Sequence, residues 1–371
     1  MNIAIQASDL DHARIDGTRV YVRELLRRFG KLDQSDQFWL YHQRTFNPSL
    51  APPTFPNYTE RAIPFPLAWM QTRFAFDLHV QKLNKLFLPI QAAPFLVPRS
   101  LEITATIHDL AFKKYPKTFP TLHQLKLNLL LDAVVRRADK LIAVSTSTKK
   151  DLLDYYPTLD EKKVRVIHHG YDGEFFGVNL PTDTLQVSLD RFGLLRGRYV
   201  LYVGALQPRK NLVRLIQAFE RVKKTTPDLR LVFAGETAWL AEEIIRARSA
   251  SVYQSDIIFA GRVTFEDLRA LYQGARLFVF PSLYEGFGLP LLEAFASGVP
   301  VLTTQNSSLP EVGGDAALYC NAENVSDIAH KLELLWKDTE MAGVLKGKAK
   351  ERLAYFSWDR SASETLGYIL E

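Results

Sequence analysis

The sequence predicts an α/β protein with two doubly wound, parallel-sheet domains whose ligand-binding edges face each other across a cleft. The length of 371 residues favours two domains of ordinary size over one. Short apolar runs alternate with helical patterns twice along the chain. Such alternation is typical of parallel sheets joined by crossover helices, which bind ligands at the carboxyl ends of their strands.

The first half of the chain carries the pattern of an N-terminal domain over residues 1–176. Apolar runs predict strands at 3–7, 38–41, 86–88, 104–107, 141–144 and 164–167. Helical periodicity predicts helices at 20–29, about 69–85, and 122–137.

The second half repeats the pattern. Strands are predicted at 199–203, 229–234, 257–260, 277–280 and 299–303, each with a helical segment after it. A stretch rich in Gly, Asp and Thr precedes them, so we expect a linker over residues 177–197 and a C-terminal domain over 198–355. Residues 356–371 begin with a helix-capping serine and predict a terminal helix.

Composition limits the functional class. The apolar runs are too short to span a membrane, and the chain begins directly as a strand, so we expect a cytoplasmic protein without a signal peptide. The single cysteine, Cys320, excludes an internal disulfide framework and a cysteine-based metal site. Residues 1–172 carry 24 Lys and Arg against 17 Asp and Glu. This surplus suits peripheral contact with an anionic membrane surface or a phosphate-bearing acceptor, and it also falls within ordinary surface composition.

The segment from residue 280 to residue 293 is the most informative part of the chain. Glu285 and Glu293 stand eight positions apart, with two glycines between them and Pro290 where a helix should begin. Glu285 then lies in a loop at the carboxyl end of a strand, and Glu293 lies in the first helical turn. Taken singly, Glu293 could equally cap the helix and Glu285 could be a solvated loop charge.

Backbone amides of the same segment add to the predicted site. The N–H groups of Phe287, Gly288 and Leu289 precede or open the helix, where they have no intrahelical partner. They would therefore stabilise an anionic or hydroxyl-rich ligand in the crevice between the two glutamates.

A second candidate site follows the strand predicted at 199–203. Gly204 permits a tight exit from the strand, and Asn211 is a good N-cap for the next helix. Arg209 and Lys210 stand just before that helix, where an anion such as a diphosphate is favoured. In isolation, two solvated loop cations are the simpler interpretation.

The N-terminal half offers two further candidates. His108 follows the strand predicted at 104–107, although a lone histidine is more often structural than catalytic. Gly17 stands at the start of a helix, after the loop that follows the first strand.

The spacing of Glu285 and Glu293 resembles the Glu-x7-Glu signature of the family 4 retaining glycosyltransferases, which have the GT-B fold. The resemblance spans nearly the whole chain and is strongest over residues 198–319. It implies transfer of a hexose (glucose or mannose type) from a UDP- or GDP-sugar to a saccharide or lipid-linked saccharide, with retention at the anomeric carbon. Cell-surface polysaccharide synthesis is the implied context, without a role for nucleic acid.

The resemblance also implies residue roles. Glu285 would contact the donor sugar, Glu293 would hold the ribose, and His108 would approach the sugar. Arg209 and Lys210 would clamp the diphosphate, so neither a metal nor a further cofactor is expected. The remaining donor-binding residues would be Gly17, Gly204, Arg262, Val263, Phe287, Gly288 and Leu289. Relatives pair two glycines in the first loop, whereas this chain has Asp16-Gly17-Thr18. The terminal helix would cross back onto the N-terminal domain.

Several alternatives stay open or are disfavoured. A GT-B phosphorylase or sugar-nucleotide epimerase, and a non-catalytic nucleotide-sugar binder in a polysaccharide assembly complex, are the rival functions. Asp9 and Asp11 match an Asp-x-Asp metal motif only superficially, because alternation separates their side chains in an extended strand. The paired His168 and His169 have no third ligand at a fitting spacing. No Gly-x-Gly-x-x-Gly motif opens either half, which disfavours a dinucleotide oxidoreductase.

Overall fold

The computed structural model describes all 371 residues, which form two compact units. The N-terminal unit comprises Met1–Lys113, Leu122–Gly170 and Phe356–Glu371, and the C-terminal unit comprises Lys114–Thr121 and Tyr171–Tyr355. The chain passes from the N-terminal to the C-terminal unit after Gly170, six residues before the domain boundary expected at residue 176. A short segment from the first half of the chain groups with the C-terminal unit, which the sequence does not predict.

The strands are as follows, in chain order: β1 (Asn2–Gln6), β2 (Gln37–His42), β3 (Tyr58–Ala62), β4 (Lys85–Leu88), β5 (Glu102–Ile107), β6 (Lys140–Ala143), β7 (Val164–Val166), β8 (Tyr199–Val203), β9 (Arg230–Ala234), β10 (Ile257–Gly261), β11 (Leu277–Phe280), β12 (Val301–Thr304) and β13 (Ala317–Cys320).

The α-helices are as follows, in chain order: α1 (Gly17–Leu32), α2 (Ala75–Val80), α3 (Ala111–Lys114), α4 (Thr121–Arg137), α5 (Thr146–Tyr155), α6 (Gly173–Phe176), α7 (Thr182–Asp190), α8 (Leu212–Lys223), α9 (Glu242–Ala250), α10 (Phe265–Gly274), α11 (Leu289–Ala296), α12 (Leu309–Gly313), α13 (Val325–Lys337), α14 (Thr339–Leu353) and α15 (Trp358–Leu370). Short 3₁₀ turns at Ser8–Asp11 and Pro208–Lys210 lie in the two loops that matter most below.

Each unit contains one parallel sheet. The N-terminal sheet has the order β3-β2-β1-β4-β5-β6-β7, and the C-terminal sheet has the order β10-β9-β8-β11-β12-β13. The inner strands β4, β11 and β12 are buried along their whole length, as parallel strands covered by helices on both faces should be. The predicted fold class of two doubly wound α/β domains is confirmed.

The order of strands reverses once in each sheet, and these reversals locate the candidate sites. In the C-terminal sheet the reversal lies between β8 and β11, where Leu277 is opposite Val200 in the register. In the N-terminal sheet it lies between β1 and β4. Chains leaving two neighbouring strands in opposite directions open a crevice at the carboxyl edge, which is where open α/β sheets bind ligands.

Strands β3 and β13, which are two of the four edge strands, were not predicted from the sequence. Strand β3 consists of Tyr-Thr-Glu-Arg-Ala, and every residue is at least partly exposed. An edge strand pairs on one side only and needs less apolar character, so the hydrophobic pattern that reveals inner strands is weak here.

Two predicted elements are wrong in detail. The helix expected at about 69–85 is a π-helical turn, Met70–Phe74, followed by α2, which ends at Val80; β4 then begins at Lys85. The linker expected at 177–197 contains α7, which buries Leu185 and Leu189 in the C-terminal unit and packs against α10.

The last helix, α15, packs against α1 in the N-terminal unit. The start of α15 also lies against Gly170, where a Cβ atom would be 2.0 Å from the backbone nitrogen of Trp358. Residue 170 must therefore be glycine because two backbone segments approach each other closely at this point.

Candidate active site

A buried ion cluster occupies the reversal point of the C-terminal sheet. Arg209 and Lys210 lie on the 3₁₀ turn between β8 and α8, and Glu285 lies in the loop between β11 and α11. Arg209 Nη1 donates to Glu285 Oε2 at 3.1 Å, and Lys210 Nζ donates to Glu285 Oε1 at 2.5 Å. Both oxygens of one carboxylate thus bind the two cations predicted to hold a diphosphate.

The cluster is almost closed to solvent. Each of the three side chains is about 10% exposed. Burial acts to raise the pKa of Glu285, but the charges of Lys210 and Arg209 outweigh it, and the pKa lies below its ordinary value. Arg209 also donates to the Tyr284 carbonyl at 2.5 Å, which fixes the guanidinium beside the loop. The three groups therefore form a preorganised, charged site in a region of low dielectric.

Two serines that the sequence did not single out hold the loop around Glu285. The amide of Glu285 donates to Ser307 Oγ at 2.8 Å. Ser308 Oγ, which is fully buried, lies 3.0 Å from the Glu285 carbonyl oxygen and 2.8 Å from that of Phe287. The sequence feature that could have indicated them is the pair of consecutive serines shortly after β12, the strand next to β11. Their bonds fix the backbone on both sides of Glu285.

The turn into α11 is as predicted at its start. Gly288 has φ = 109°, a conformation that favours glycine, and α11 begins at Leu289 with Pro290 in its first turn. The prediction for Glu293 is wrong by one turn, since it is the fifth residue of α11 and no acidic residue lies in the first turn. Its carboxylate is therefore too far along the helix to cap the first turn, and it bonds to a different group.

That partner is Tyr272 on α10. Its hydroxyl donates to Glu293 Oε2 at 2.8 Å. Burial raises the pKa of Glu293 to about 7, and the bond from Tyr272 acts in the opposite direction. Glu285 and Glu293 therefore have different electrostatic settings, because Glu285 is bound by two cations and Glu293 by a neutral phenol.

Other predicted donor-site residues lie at the same edge of the sheet. Gly204 follows β8 with φ = 142°, consistent with a tight exit. Arg262 and Val263 follow β10, and Arg262 Nη1 lies 3.7 Å from Glu236 Oε1 in the loop after β9. The amides of Phe287, Gly288 and Leu289 lie at the start of α11.

Asn211 occupies the N-cap position of α8, but its side chain does not cap the helix. Its Nδ2 donates instead to the carbonyl oxygens of Pro281 at 3.1 Å and Ala322 at 2.7 Å. The expectation of a side-chain cap is wrong, and Asn211 ties the loop after β8 to the loops after β11 and β13.

In the N-terminal unit, His108 follows β5 and is half-buried. Its Nε2 lies 2.8 Å from the Pro89 carbonyl oxygen, so this nitrogen carries the proton and donates. The side chain of Gln91 accepts hydrogen bonds from the amides of His108 and Asp109. Burial lowers the pKa of His108, although the Pro89 bond and the charge of Asp109 act to raise it. The ring is therefore neutral at pH 7.

Gly17 is the first residue of α1, and Asp16 caps the helix by accepting from the Arg19 amide at 3.2 Å. The loop before it contains the Asp-x-Asp sequence. Asp11 Oδ2 accepts from the amides of Gln43 and Arg44, while Asp9 Oδ1 lies 3.7 Å from Arg19. Nowhere in the chain are three or more His, Cys, Asp or Glu residues grouped so that they could hold a metal ion.

His168 and His169 make aromatic contacts. The His169 ring packs against Tyr21 and Trp358 at 4.7 and 5.4 Å, and the His168 ring packs against Phe356 at 5.9 Å. Burial holds the pKa of His169 well below its ordinary value. These contacts are consistent with the structural interpretation of the pair.

Two comparisons by sequence agree with this architecture. Residues 193–352 match the family described as glycosyl transferases group 1, and residues 15–175 match Glycosyltransferase Family 4. O-antigen chain mannosyltransferase B of Escherichia coli is 30% identical over 73% of this chain and 71% of its own length. The serotype-specific mannosyltransferase WbdA of Escherichia coli is 32% identical over 66% of this chain, which spans only 30% of that longer protein.

The fold has solved counterparts. The crystal structure of Anabaena HepE in complex with UDP-glucose superposes with a TM-score of 0.76 over 99% of both chains, at 16% identity. WaaG, described as a glycosyltransferase involved in lipopolysaccharide biosynthesis, superposes with a TM-score of 0.74 at 13% identity over 99% of this chain and 98% of its own. In the chain described here, no helix combines the length and apolar character needed to cross a membrane. The family matches and the two doubly wound units together show that this chain belongs to family 4 of the glycosyltransferases and has the GT-B fold.

Proposed function

We propose that this chain transfers a hexose of the mannose type from a nucleotide diphosphate sugar to a saccharide or lipid-linked saccharide, with retention at the anomeric carbon. The cluster in which Glu285 bridges Arg209 and Lys210 is the observation that carries the proposal. The choice of mannose is supported by the names of the two mannosyltransferases from Escherichia coli. GDP-mannose is the donor we expect, and UDP-glucose is the principal competitor.

The proposed chemistry requires stabilisation of a departing diphosphate. Cleavage of the bond between the anomeric carbon and the phosphate oxygen leaves negative charge on the nucleoside diphosphate. Arg209 and Lys210, both nearly buried, would stabilise that charge more strongly than they could in water. Amides at the start of α11 would add donors. With two cations and a helix terminus in place, we expect no requirement for a metal.

Retention would follow if the acceptor attacks from the side on which the diphosphate leaves. In that step the acceptor oxygen bonds to the anomeric carbon and its proton passes to the phosphate oxygen that departs. No further base is then required, because the departing nucleoside diphosphate carries the acceptor's proton away. Exclusion of water from the site would limit hydrolysis of the donor.

Glu285 would exchange partners when the donor binds. Phosphate oxygens can replace its carboxylate at Arg209 and Lys210, since both groups offer acceptors to the same donors. The carboxylate could then accept hydrogen bonds from hydroxyls of the donor sugar. His108, neutral and with its proton on Nε2, would present Nδ1 as an acceptor to a sugar hydroxyl.

A panel of donors tests the proposal. GDP-mannose, UDP-glucose, GDP and UDP are each added to the protein, and the free energy of unfolding is measured. A ligand present at 100 times its dissociation constant should stabilise the protein by about 2.7 kcal/mol. The anomeric configuration of the product, read by NMR, should match that of the donor. Failure of every nucleotide sugar to stabilise the protein would refute the proposal.

Turnover assays distinguish the two rival functions from this proposal. Turnover that needs inorganic phosphate and no nucleotide would indicate a phosphorylase. Stabilisation by a nucleotide sugar without any transfer, across acceptors that include lipid-linked saccharides, would indicate a binder.

We also propose that helix α4 contacts an anionic lipid surface, which suits a lipid-linked acceptor. Leu122, Leu125 and Leu129 follow one another at helical spacing and are 83%, 58% and 53% exposed. Lys126 and Arg136 are exposed on the same face. The opposite face buries Leu131 and Val134, so the helix is apolar on both sides. An exposed face of leucines flanked by cations is typical of helices that lie in a lipid interface.

Sedimentation with vesicles tests the lipid contact. The protein should sediment with phosphatidylglycerol vesicles and not with phosphatidylcholine vesicles. Replacing Leu122, Leu125 and Leu129 together by serine should abolish sedimentation. The matched control replaces Val178, Val187 and Leu195 by serine, since these residues are 58%, 64% and 62% exposed in the other unit. Equal sedimentation of both variants, or a leucine-dependent dimer in gel filtration, would contradict the proposal.

A further inference from the structure

Tyr272 supports Glu293 from within the core of the C-terminal unit. The tyrosine has no solvent-exposed surface, and its ring packs against Phe176 and Phe278 with centroids 5.8 and 5.5 Å away. Two aromatic neighbours on different elements restrict the ring. Its hydroxyl, which donates to Glu293 Oε2 at 2.8 Å, is therefore held at a fixed place beside α11.

A buried tyrosine hydroxyl is well suited to this task. Burial, followed by the nearby Glu293, holds the pKa of Tyr272 well above its ordinary value, so the hydroxyl remains a donor at every working pH. A donor that cannot ionise fixes a carboxylate through one oxygen and leaves acceptor capacity on the other. Glu293 itself is half-buried, in contrast to its tyrosine partner.

We propose that Tyr272 is a positioning residue for the nucleotide, because its hydroxyl orients the Glu293 carboxylate to accept hydrogen bonds from the ribose hydroxyls. This inference rests on the proposed function, which places the ribose at Glu293. Tyr272 would act only through Glu293 and would not contact the nucleotide. Loss of its hydroxyl should therefore change how nucleotide binding depends on the protonation of Glu293.

The elements packed against α11 contribute little to this protonation. Helix α11 packs against α6, α12, α14 and strand β12. The charged residues on those elements are Glu174, Glu311, Glu340, Lys346, Lys348, Lys350, Glu351 and Arg352. On α10, Asp267 pairs with Arg191, and Arg269 lies over the ring of Phe175. Only burial and the bond from Tyr272 shift the pKa of Glu293.

The test measures the dissociation constants of GDP and UDP by calorimetry between pH 5.5 and pH 9. In the wild-type protein, affinity should fall as the pH is lowered through about 7, where Glu293 takes up a proton. In Tyr272→Phe the fall should begin at higher pH, because the bond that favours the carboxylate is gone. At pH 7 a rise of about one pKa unit would weaken binding roughly fivefold.

Two further variants make the result specific. Tyr199→Phe removes another fully buried hydroxyl, which donates to the Leu271 carbonyl at 2.6 Å and does not contact Glu293. Its pH profile should match that of the wild type. Glu293→Gln should bind weakly with no step near pH 7. Should Tyr272→Phe fail to fold, replacement of Tyr272 by 3-fluorotyrosine, a stronger donor of nearly the same shape, should move the step to lower pH.

The outcomes separate this inference from the proposed function. If the wild type binds neither GDP nor UDP, the proposed function fails and this inference fails with it. If the wild type binds with a step near pH 7 and the profile of Tyr272→Phe or of the fluorinated protein coincides with it, only the positioning role is overturned.

Discussion

Glu285→Gln should destabilise the free protein and at the same time increase the stabilisation that a nucleoside diphosphate provides. The carboxylate is the anion shared by Arg209 and Lys210, and all three side chains are about 10% exposed. Glutamine keeps the shape and one acceptor oxygen but removes the negative charge. Two nearly buried cations then lie side by side without the carboxylate that bonds both of them.

The magnitude follows from this burial. Removing one partner from a buried ion pair costs about 3–5 kcal/mol. We expect the lower end, about 3 kcal/mol, because glutamine retains one acceptor. In a unit of this size each kcal/mol lowers the melting temperature by roughly 2–4 °C, so the melting temperature should fall by about 6–12 °C. A bound diphosphate supplies negative charge to both cations, so it should restore much of this loss.

Differential scanning calorimetry with and without GDP or UDP checks both parts. Glu102→Gln is the matched control, since Glu102 bridges Lys85 at 2.7 Å and Lys140 at 2.5 Å but is 34% exposed. Solvent screening should keep its effect small, and nucleotide should not reverse it. The effect of Glu285→Gln should also vanish at acidic pH. The pKa of Glu285 is depressed in the folded protein, so its contribution is present above about 4.5 and is lost as the pH falls through the folded value. Equal stability of Glu285→Gln and wild type at pH 7, or an equal response to nucleotide, would contradict the role assigned to Glu285.

Three further results are expected. Lys210→Ala and Arg209→Ala should each lower turnover by roughly 10²–10³-fold with every donor, the scale of one lost transition-state contact, and near wild-type turnover in both would mean that the diphosphate site is misplaced. Activity should survive EDTA, because two cations and a helix terminus serve the leaving group; a complete loss restored by Mg²⁺ or Mn²⁺ would contradict this. Glu293→Ala should weaken the binding of nucleotide and of full donor alike by about 1.5–3 kcal/mol, whereas Glu285→Ala should lower turnover without weakening nucleotide binding. If calorimetry shows equal losses of nucleotide affinity in the two variants, the assignment of roles is wrong.

The inner strands were predictable because their signal is local. Strands β8 and β11 were predicted with the bounds that the structure has, since a buried parallel strand is a continuous apolar run. The start of α11 was equally accessible, because glycine and proline at residues 288 and 290 impose backbone conformations that few other residues adopt. The edge strand β3 and the helix α7 lacked such signals, since both carry mixed polar sequences.

The partners of the site residues were not predictable in this way. Glu293 was expected to lie in the first turn of α11, and it is one turn further along and bonded to Tyr272. Asn211 was expected to cap α8, and its side chain instead holds two other loops. In each case local spacing suggested a role at the start of a helix, and the actual partners, Tyr272 for Glu293 and two loop carbonyls for Nδ2 of Asn211, are distant in sequence.

The residue order alone shows which chemical groups follow the strands: two cations after β8, a glutamate after β11, a histidine after β5, and a glycine-proline turn into α11. The contact of Glu285 with Arg209 and Lys210, which lie 76 and 75 positions away in the chain, could be seen only in the folded protein. That contact depends on β8 and β11 being neighbours, and strand order is set by how the crossover helices pack on the sheet. Local sequence patterns indicate the conformation of each loop and the side chains it carries. Which loops come into contact depends on the strand order of the completed sheet.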